Sequence, residues 1–110
     1  MAKNIVLIGI SGCGKTSVGS MLAKKLNYGF TDTDEVVESY GMTISELFES
    51  GEQNFRCVEA MAVKQVSSYS SAVISTGGGV VTVQENMELL KENSFIVFLQ
   101  RDIGRIIKTN

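Results

Sequence analysis

The chain contains no histidine and only two cysteines, Cys13 and Cys57, among its 110 residues. Without an imidazole, Ser-His and Cys-His nucleophilic machinery is excluded. The cysteines form no CxxC pair, so a zinc centre has no ligand set. Any acid–base chemistry therefore falls to Asp, Glu, Lys or Tyr. Few thiols suit a reducing cytoplasm, the expected location. Long apolar runs are lacking too. None approaches the roughly 20 residues that cross a bilayer, and no membrane partner is expected. Neither charge sign dominates: 10 Lys and Arg against 12 Asp and Glu leave a net −2, mixed along the chain. That balance argues against a nucleic-acid surface, while one local phosphate site stays open.

What is present fits one domain, residues 1–110, with a single buried core. The start "MAKNIVLIGI" puts a basic residue before an apolar stretch, as a secretory signal does. The apolar part is short and no small-residue cleavage site follows. A strand running into a glycine loop explains it better. Asn4 to Ile10 reads as a buried parallel strand. Val18, Leu22 and Leu26 recur at four-residue spacing and predict a helix from Lys15 to Leu26. "YGFTDTD" predicts a short strand ending in acids. "TISELFESG" carries a capping box, Thr43 with Glu46, and a terminating Gly51. Glu52 to Ser68 predicts a longer helix with Phe55, Val58, Ala62 and Val66 on one side. A strand at "SAVIS", a helix from Gln84 to Asn93, a strand at "SFIVFLQ" and the start of a helix at "DIGRIIKT" follow. This alternation predicts an α/β fold whose parallel sheet is covered on both faces.

Gly9-x-x-x-x-Gly14-Lys15-Thr16 matches the P-loop pattern in full. Glycines let backbone N–H groups converge on phosphate oxygens, and the helix opening near Lys15 adds its positive end. Lys15 can reach the outer phosphates, and the Thr16 hydroxyl can ligate Mg²⁺. A glycine-rich βα turn that merely matches the pattern is the bland alternative. Cys13 lies inside the loop near a helix N-terminus, where a thiol can become reactive; a small side chain fitting a tight loop is the favoured reading.

Three later features bear on the acceptor. "DTD" is expected to end the second strand with Asp32 and Asp34 on one side, at the sheet's carboxyl edge. One acid could hold hydrated Mg²⁺ and the other face an acceptor hydroxyl, or both could cap the next helix. "NFRCVE" sets Arg56 and Glu59 three residues apart on a helix. They read either as an exposed pair or as an anion grip with Glu59 fixing the guanidinium. Gly77, Gly78 and Gly79 follow the third strand, where the backbone can approach a ligand.

The P-loop, "DTD", "FRCVE" and "TGGG", in this order and spacing, resemble the shikimate kinase family from Ile5 to at least Leu99. The resemblance implies a three-layer α/β/α P-loop kinase fold around a parallel sheet. It also implies transfer of the ATP γ-phosphoryl to the 3-hydroxyl of shikimate, giving shikimate 3-phosphate and ADP on the route to chorismate. By resemblance, Gly12, Cys13, Gly14, Lys15, Thr16 and Ser17 bind the nucleotide, with Lys15 on the phosphates, and Thr16 and Asp32 serve Mg²⁺. Asp34 orients the acceptor hydroxyl and takes its proton. Arg56 binds the shikimate carboxylate, and the Gly77, Gly78 and Gly79 backbone closes over the ring. Phe48 and Phe55 resemble pocket-lining residues, although each also fits its helix's buried stripe.

Family members carry further chain holding a lid arginine, a second substrate arginine, an adenine loop and a fifth strand in the order 2-3-1-4-5. These are expected to be missing here, with Arg105 or Lys108 near the adenine position. Poor turnover is the corresponding expectation. A monomer is the family's form, and a dimer across the open sheet edge is the alternative here. Rival readings are other small P-loop kinases, such as gluconate or adenylylsulfate kinases, and a non-catalytic nucleotide-binding fragment. A GTPase would need an NKxD-type motif, which the sequence lacks.

Overall fold

A computed structural model describes residues 3–9, 15–77 and 79–99. Four strands, β1 (Asn4–Ile8), β2 (Gly29–Asp32), β3 (Ala72–Ser75) and β4 (Ser94–Phe98), form one sheet among them, in the order β2-β3-β1-β4. All three pairings are parallel, with Val6 beside Ile74 and Ile96 at the centre. The helices are α1 (Lys15–Leu26), α2 (Thr33–Ser39), α3 (Ile44–Ser50), α4 (Glu52–Ser67) and α5 (Gln84–Lys91), with a 3₁₀ turn at Val80–Thr82.

Alternation along the central strands sorts their side chains into two layers. Val6, Ala72 and Ile74 join Val37, Ala62, Val63, Val66 and Leu90 in the larger core beneath α2, α4 and α5. Leu7 and Val73 point the other way, onto Ala23, Val18 and Leu22 of α1. The result is three layers, helix, sheet and helix. β1 and β3 are almost continuously apolar because both of their faces are covered. The sheet's amino end is closed by Asn4, fully buried. Its Nδ2 donates to the Tyr69 carbonyl at 2.8 Å, and its Oδ1 accepts the Ala72 N–H at 3.0 Å. A buried amide placed this way satisfies backbone groups that the sheet cannot.

The expected α/β architecture holds, and several elements depart from expectation, among them α4, which ends at Ser67 with Ser68 as its cap. β1 stops at Ile8 because Gly9, at φ 154°, turns the chain out of the strand. α5 ends at Lys91, and β4 at Phe98. β2 ends at Asp32, and a helix absent from the sequence reading, α2, begins at Thr33. Asp32 starts it: its extended backbone and its carboxylate, accepting the Asp34 N–H at 2.8 Å, make an N-cap. Ile10 and the helix expected from residue 102 lie outside the described residues.

The capping box forms as read. Thr43 Oγ1 accepts the Glu46 N–H at 3.1 Å, and Glu46 Oε1 accepts the Thr43 N–H at 2.8 Å. Gly51, at φ 132°, ends α3 in a conformation that favours glycine. We expect Thr43→Ala to lower stability by about 1 kcal/mol in urea unfolding, since the Glu46 N–H loses its acceptor.

Candidate active site

The carboxyl edge of the sheet gathers the polar residues. β1 ends there at Ile8, Gly9 is the last described residue before the loop, and α1 begins at Lys15. Gly12, Cys13, Gly14 and Gly78 lie outside the described residues, as do Arg105 and Lys108, and only the backbone of Lys15 is described. In the first turn of α1, Thr16 and Ser17 are exposed. Thr16 Oγ1 donates to Asp32 Oδ2 at 3.4 Å, a long contact across the gap between α1 and β2. One carboxylate thus caps α2 with one oxygen and meets the P-loop threonine with the other.

Asp34 corrects the sequence reading. It is not a strand residue sharing a face with Asp32; it lies in the first turn of α2. Carboxylates are favoured there by the helix's positive end, so a capping Asp followed by Thr-Asp-Glu favours helix over strand. The two acids still serve one edge. Asp32 stays at the strand tip, and Asp34 is carried toward the glycine turn.

Arg56 and Glu59 both lie on α4 and are not an exposed pair. Glu59 is only 2% exposed. Its Oε1 accepts from Arg56 Nη1 at 3.0 Å, while the exposed Glu52 touches Nη2 at a looser 3.5 Å. The guanidinium also lies over the Phe55 ring, 5.4 Å from its centroid. Burial raises the Glu59 carboxyl above its ordinary value of 4.5; the Arg56 hydrogen bond and charge pull it back, and Asp34 adds a smaller push upward.

The glycine turn closes over both groups. A Cβ on Gly77 would sit 2.6 Å from Asp34 Oδ1, and one on Gly79 would collide with Arg56 Nη1. A side chain at either position would push one of these two charged groups aside. Asp34, Arg56, Glu59, Gly77 and Gly79 line one pocket of about 250 Å³, with Ile44, Phe48 and Phe55 as its apolar wall. Phe48 and Phe55 stack with centroids 4.3 Å apart. Phe55 is buried and Phe48 is 47% exposed, so Phe48 faces the pocket rather than the core. A larger cavity of about 340 Å³ at the other end of β2 and β3 offers only Tyr69, Ser70, Ser71 and Thr31 hydroxyls, with no acid or cation.

Two contributors were missed in the sequence. Ile44 follows the Thr43 cap, where an apolar residue can face a neighbouring helix. Thr33, fully buried, sits between the two acids and accepts the Gly77 N–H. A threonine flanked by aspartates was its only signal.

A family model described as shikimate kinase matches residues 11–110. The chain belongs to the shikimate kinase family. Shikimate kinase from Caldicellulosiruptor bescii is 49% identical over 108 residues, covering 96% of this chain and 63% of that protein. The Thermodesulfovibrio yellowstonii enzyme is 51% identical over 100 residues, 89% of this chain and 58% of the relative. The solved structure of shikimate kinase from Acinetobacter baumannii in complex with shikimate superposes with a TM-score of 0.86. Its identity is 40%, covering 90% of this chain and 56% of that one. The chain thus spans less than two thirds of the length of these relatives. The shikimate kinase likeness agrees with the three-layer P-loop kinase fold. No helix among the described residues is long and apolar enough to cross a membrane.

Glu59 gives this family site a pH signature. Its folded-state carboxyl binds a proton more tightly than the unfolded chain's, so its stabilisation is full below about pH 4.5 and is lost as pH rises through the raised folded value. Glu59→Gln has no such proton to lose. The stability of Glu59→Gln minus that of the parent is expected to grow from pH 4 toward neutrality in urea titrations. A flat difference would contradict the burial argument.

Proposed function

We propose that this chain carries the nucleotide and acceptor sites of a shikimate kinase, which moves the γ-phosphoryl group of ATP to the 3-hydroxyl of shikimate. One observation carries the reading. A carboxylate, Asp34, and a guanidinium, Arg56, share a small pocket roofed by glycine backbone, at the same sheet edge as the Thr16–Asp32 contact. The shikimate bound by the Acinetobacter baumannii relative supports the same acceptor here.

In this reading Gly12, Cys13, Gly14, Lys15, Thr16 and Ser17 hold the nucleotide, with Lys15 on its phosphates. Thr16 and Asp32 offer a hydroxyl and a carboxylate oxygen, the hard donors that suit Mg²⁺. Bound there, Mg²⁺ supplies neutralising charge to the phosphates. Asp34 accepts a hydrogen bond from the 3-hydroxyl, orients its oxygen toward the γ-phosphorus and takes the proton. The acceptor O–P bond forms as the bond to the ADP oxygen breaks. Because phosphoryl transfer is loose, an ordinary carboxylate can accept that proton late. Arg56, held by Glu59, pairs with the ring carboxylate. The Gly77, Gly78 and Gly79 backbone covers the ring, and Ile44, Phe48 and Phe55 exclude water from its apolar side.

Calorimetric titration of shikimate in the presence of ADP and Mg²⁺ tests the assignment. Arg56→Ala is expected to weaken binding about 10- to 100-fold, the range for a charged hydrogen-bonded pair. Unchanged affinity would remove the carboxylate assignment. Asp34→Asn is expected to keep affinity within a few-fold and cut shikimate-dependent ADP release by about 10²–10⁴. Saturable ATP binding with no acceptor-dependent ADP release would favour a nucleotide-binding module instead.

A further inference from the structure

The pocket's shape depends on a residue that does not line it. Thr33, the first residue of α2, is fully buried between Asp32 and Asp34. Its Oγ1 accepts the Gly77 N–H at 2.9 Å, across 44 residues of sequence. This bond crosses from the β2–α2 junction to the glycine turn after β3. Gly77 in turn lies against the Asp34 carboxylate so closely that a methyl group there would come within 2.6 Å of it. The far side of the turn is anchored separately. Thr76 Oγ1 donates to the Leu7 carbonyl at 2.9 Å, and the Thr76 N–H donates to the same oxygen at 3.1 Å. Two buried hydroxyls therefore flank the turn, one tied to β1 and the other to the segment that carries Asp34.

We propose that Thr33 is a positioning residue: by accepting the Gly77 N–H, its hydroxyl fixes the spacing between the Asp34 carboxylate and the glycine turn, and with it the acceptor pocket. The inference rests on the shikimate reading only for the identity of the acceptor. A helix cap does not account for the bond, because Asp32 already caps α2 through the Asp34 N–H. Sheet pairing does not account for it either, since β2 and β3 run out of register partners at Asp32 and Ser75. Past those residues the strands diverge into a helix and a turn. The Thr33 hydroxyl bridges that divergence where the acceptor must fit. Without it, a part-buried N–H loses its acceptor and the turn can lift off Asp34.

Thr33→Val removes the hydroxyl at nearly constant volume, and Thr33→Ser keeps the hydroxyl and drops the methyl. Val66→Ala, in the core beneath α4 and away from the pocket, controls for lost stability. Shikimate affinity by calorimetry and amide hydrogen exchange at Gly77 are the two readouts. Thr33→Val is expected to weaken shikimate binding by about tenfold and to speed Gly77 exchange similarly, the effect of losing one part-buried hydrogen bond. Thr33→Ser should restore both to near the parent values, and Val66→Ala should change neither beyond its general loss of stability. Parent-like binding by Thr33→Val, or weakening no greater than in Val66→Ala, overturns the assignment while leaving the kinase reading intact. A parent chain that does not bind shikimate sinks that reading instead. Gly77 exchange then decides for Thr33, and an unchanged rate in Thr33→Val overturns it.

Discussion

The site depends on how the single carboxylate of Asp32 is shared. At the tip of β2 one oxygen takes the Asp34 N–H and starts α2, while the other faces the Thr16 hydroxyl at the head of α1. A residue unable to cap would let the chain run on as strand or loop, and Asp34 would leave the glycine turn. A residue without the second oxygen would leave the P-loop helix with no acidic neighbour there. The proposed nucleotide and acceptor sides are therefore joined through one short side chain. Its rigidity matters, because phosphoryl transfer gains its rate mainly from placement.

Charge in the acceptor pocket is arranged as a contest. Arg56 is the cation lining it, and Asp34 and Glu59 are the acids. Glu59 is buried and holds one edge of the guanidinium at 3.0 Å, which fixes the plane of the fork. The other edge meets Glu52 only at 3.5 Å and near solvent. A ligand carboxylate arriving at that looser edge displaces a weak, screened partner rather than a strong one. The desolvation cost of Glu59 is the counterpart of holding Arg56 in a single orientation.

Much of this was legible in the residues. The alternation of apolar runs with four-residue spacings gave the parallel sheet, and Thr43, Glu46 and Gly51 marked the ends of α3 through local chemistry alone. Arg56 and the glycine turn were placed in one pocket by the resemblance of the ordered motifs, since Arg56 and Glu59 alone read as readily as an exposed pair. What could not be read was the point where β2 gives way to α2. Asp32-Thr33-Asp34 satisfies both strand alternation and helix capping, and the local capping of the Asp34 N–H by Asp32 is what the structure adopts. The burial of Glu59 was hidden for a similar reason: spacing of three on a helix gives a pair, and not which side of the helix is covered. Thr33 was invisible because its partner lies 44 residues away.

The roof of the proposed acceptor pocket is main chain at Gly77 and Gly79, where a Cβ would displace the Asp34 carboxylate or the Arg56 guanidinium. Chemical diversification of this cleft is thereby confined to its floor and open wall. Phe48 and Ile44, on a short helix delimited by its own cap and its own glycine, are the pocket positions where, on the proposed function, ring recognition could change without moving Asp34 or Arg56. A main-chain lintel of this kind separates what may drift from what must stay.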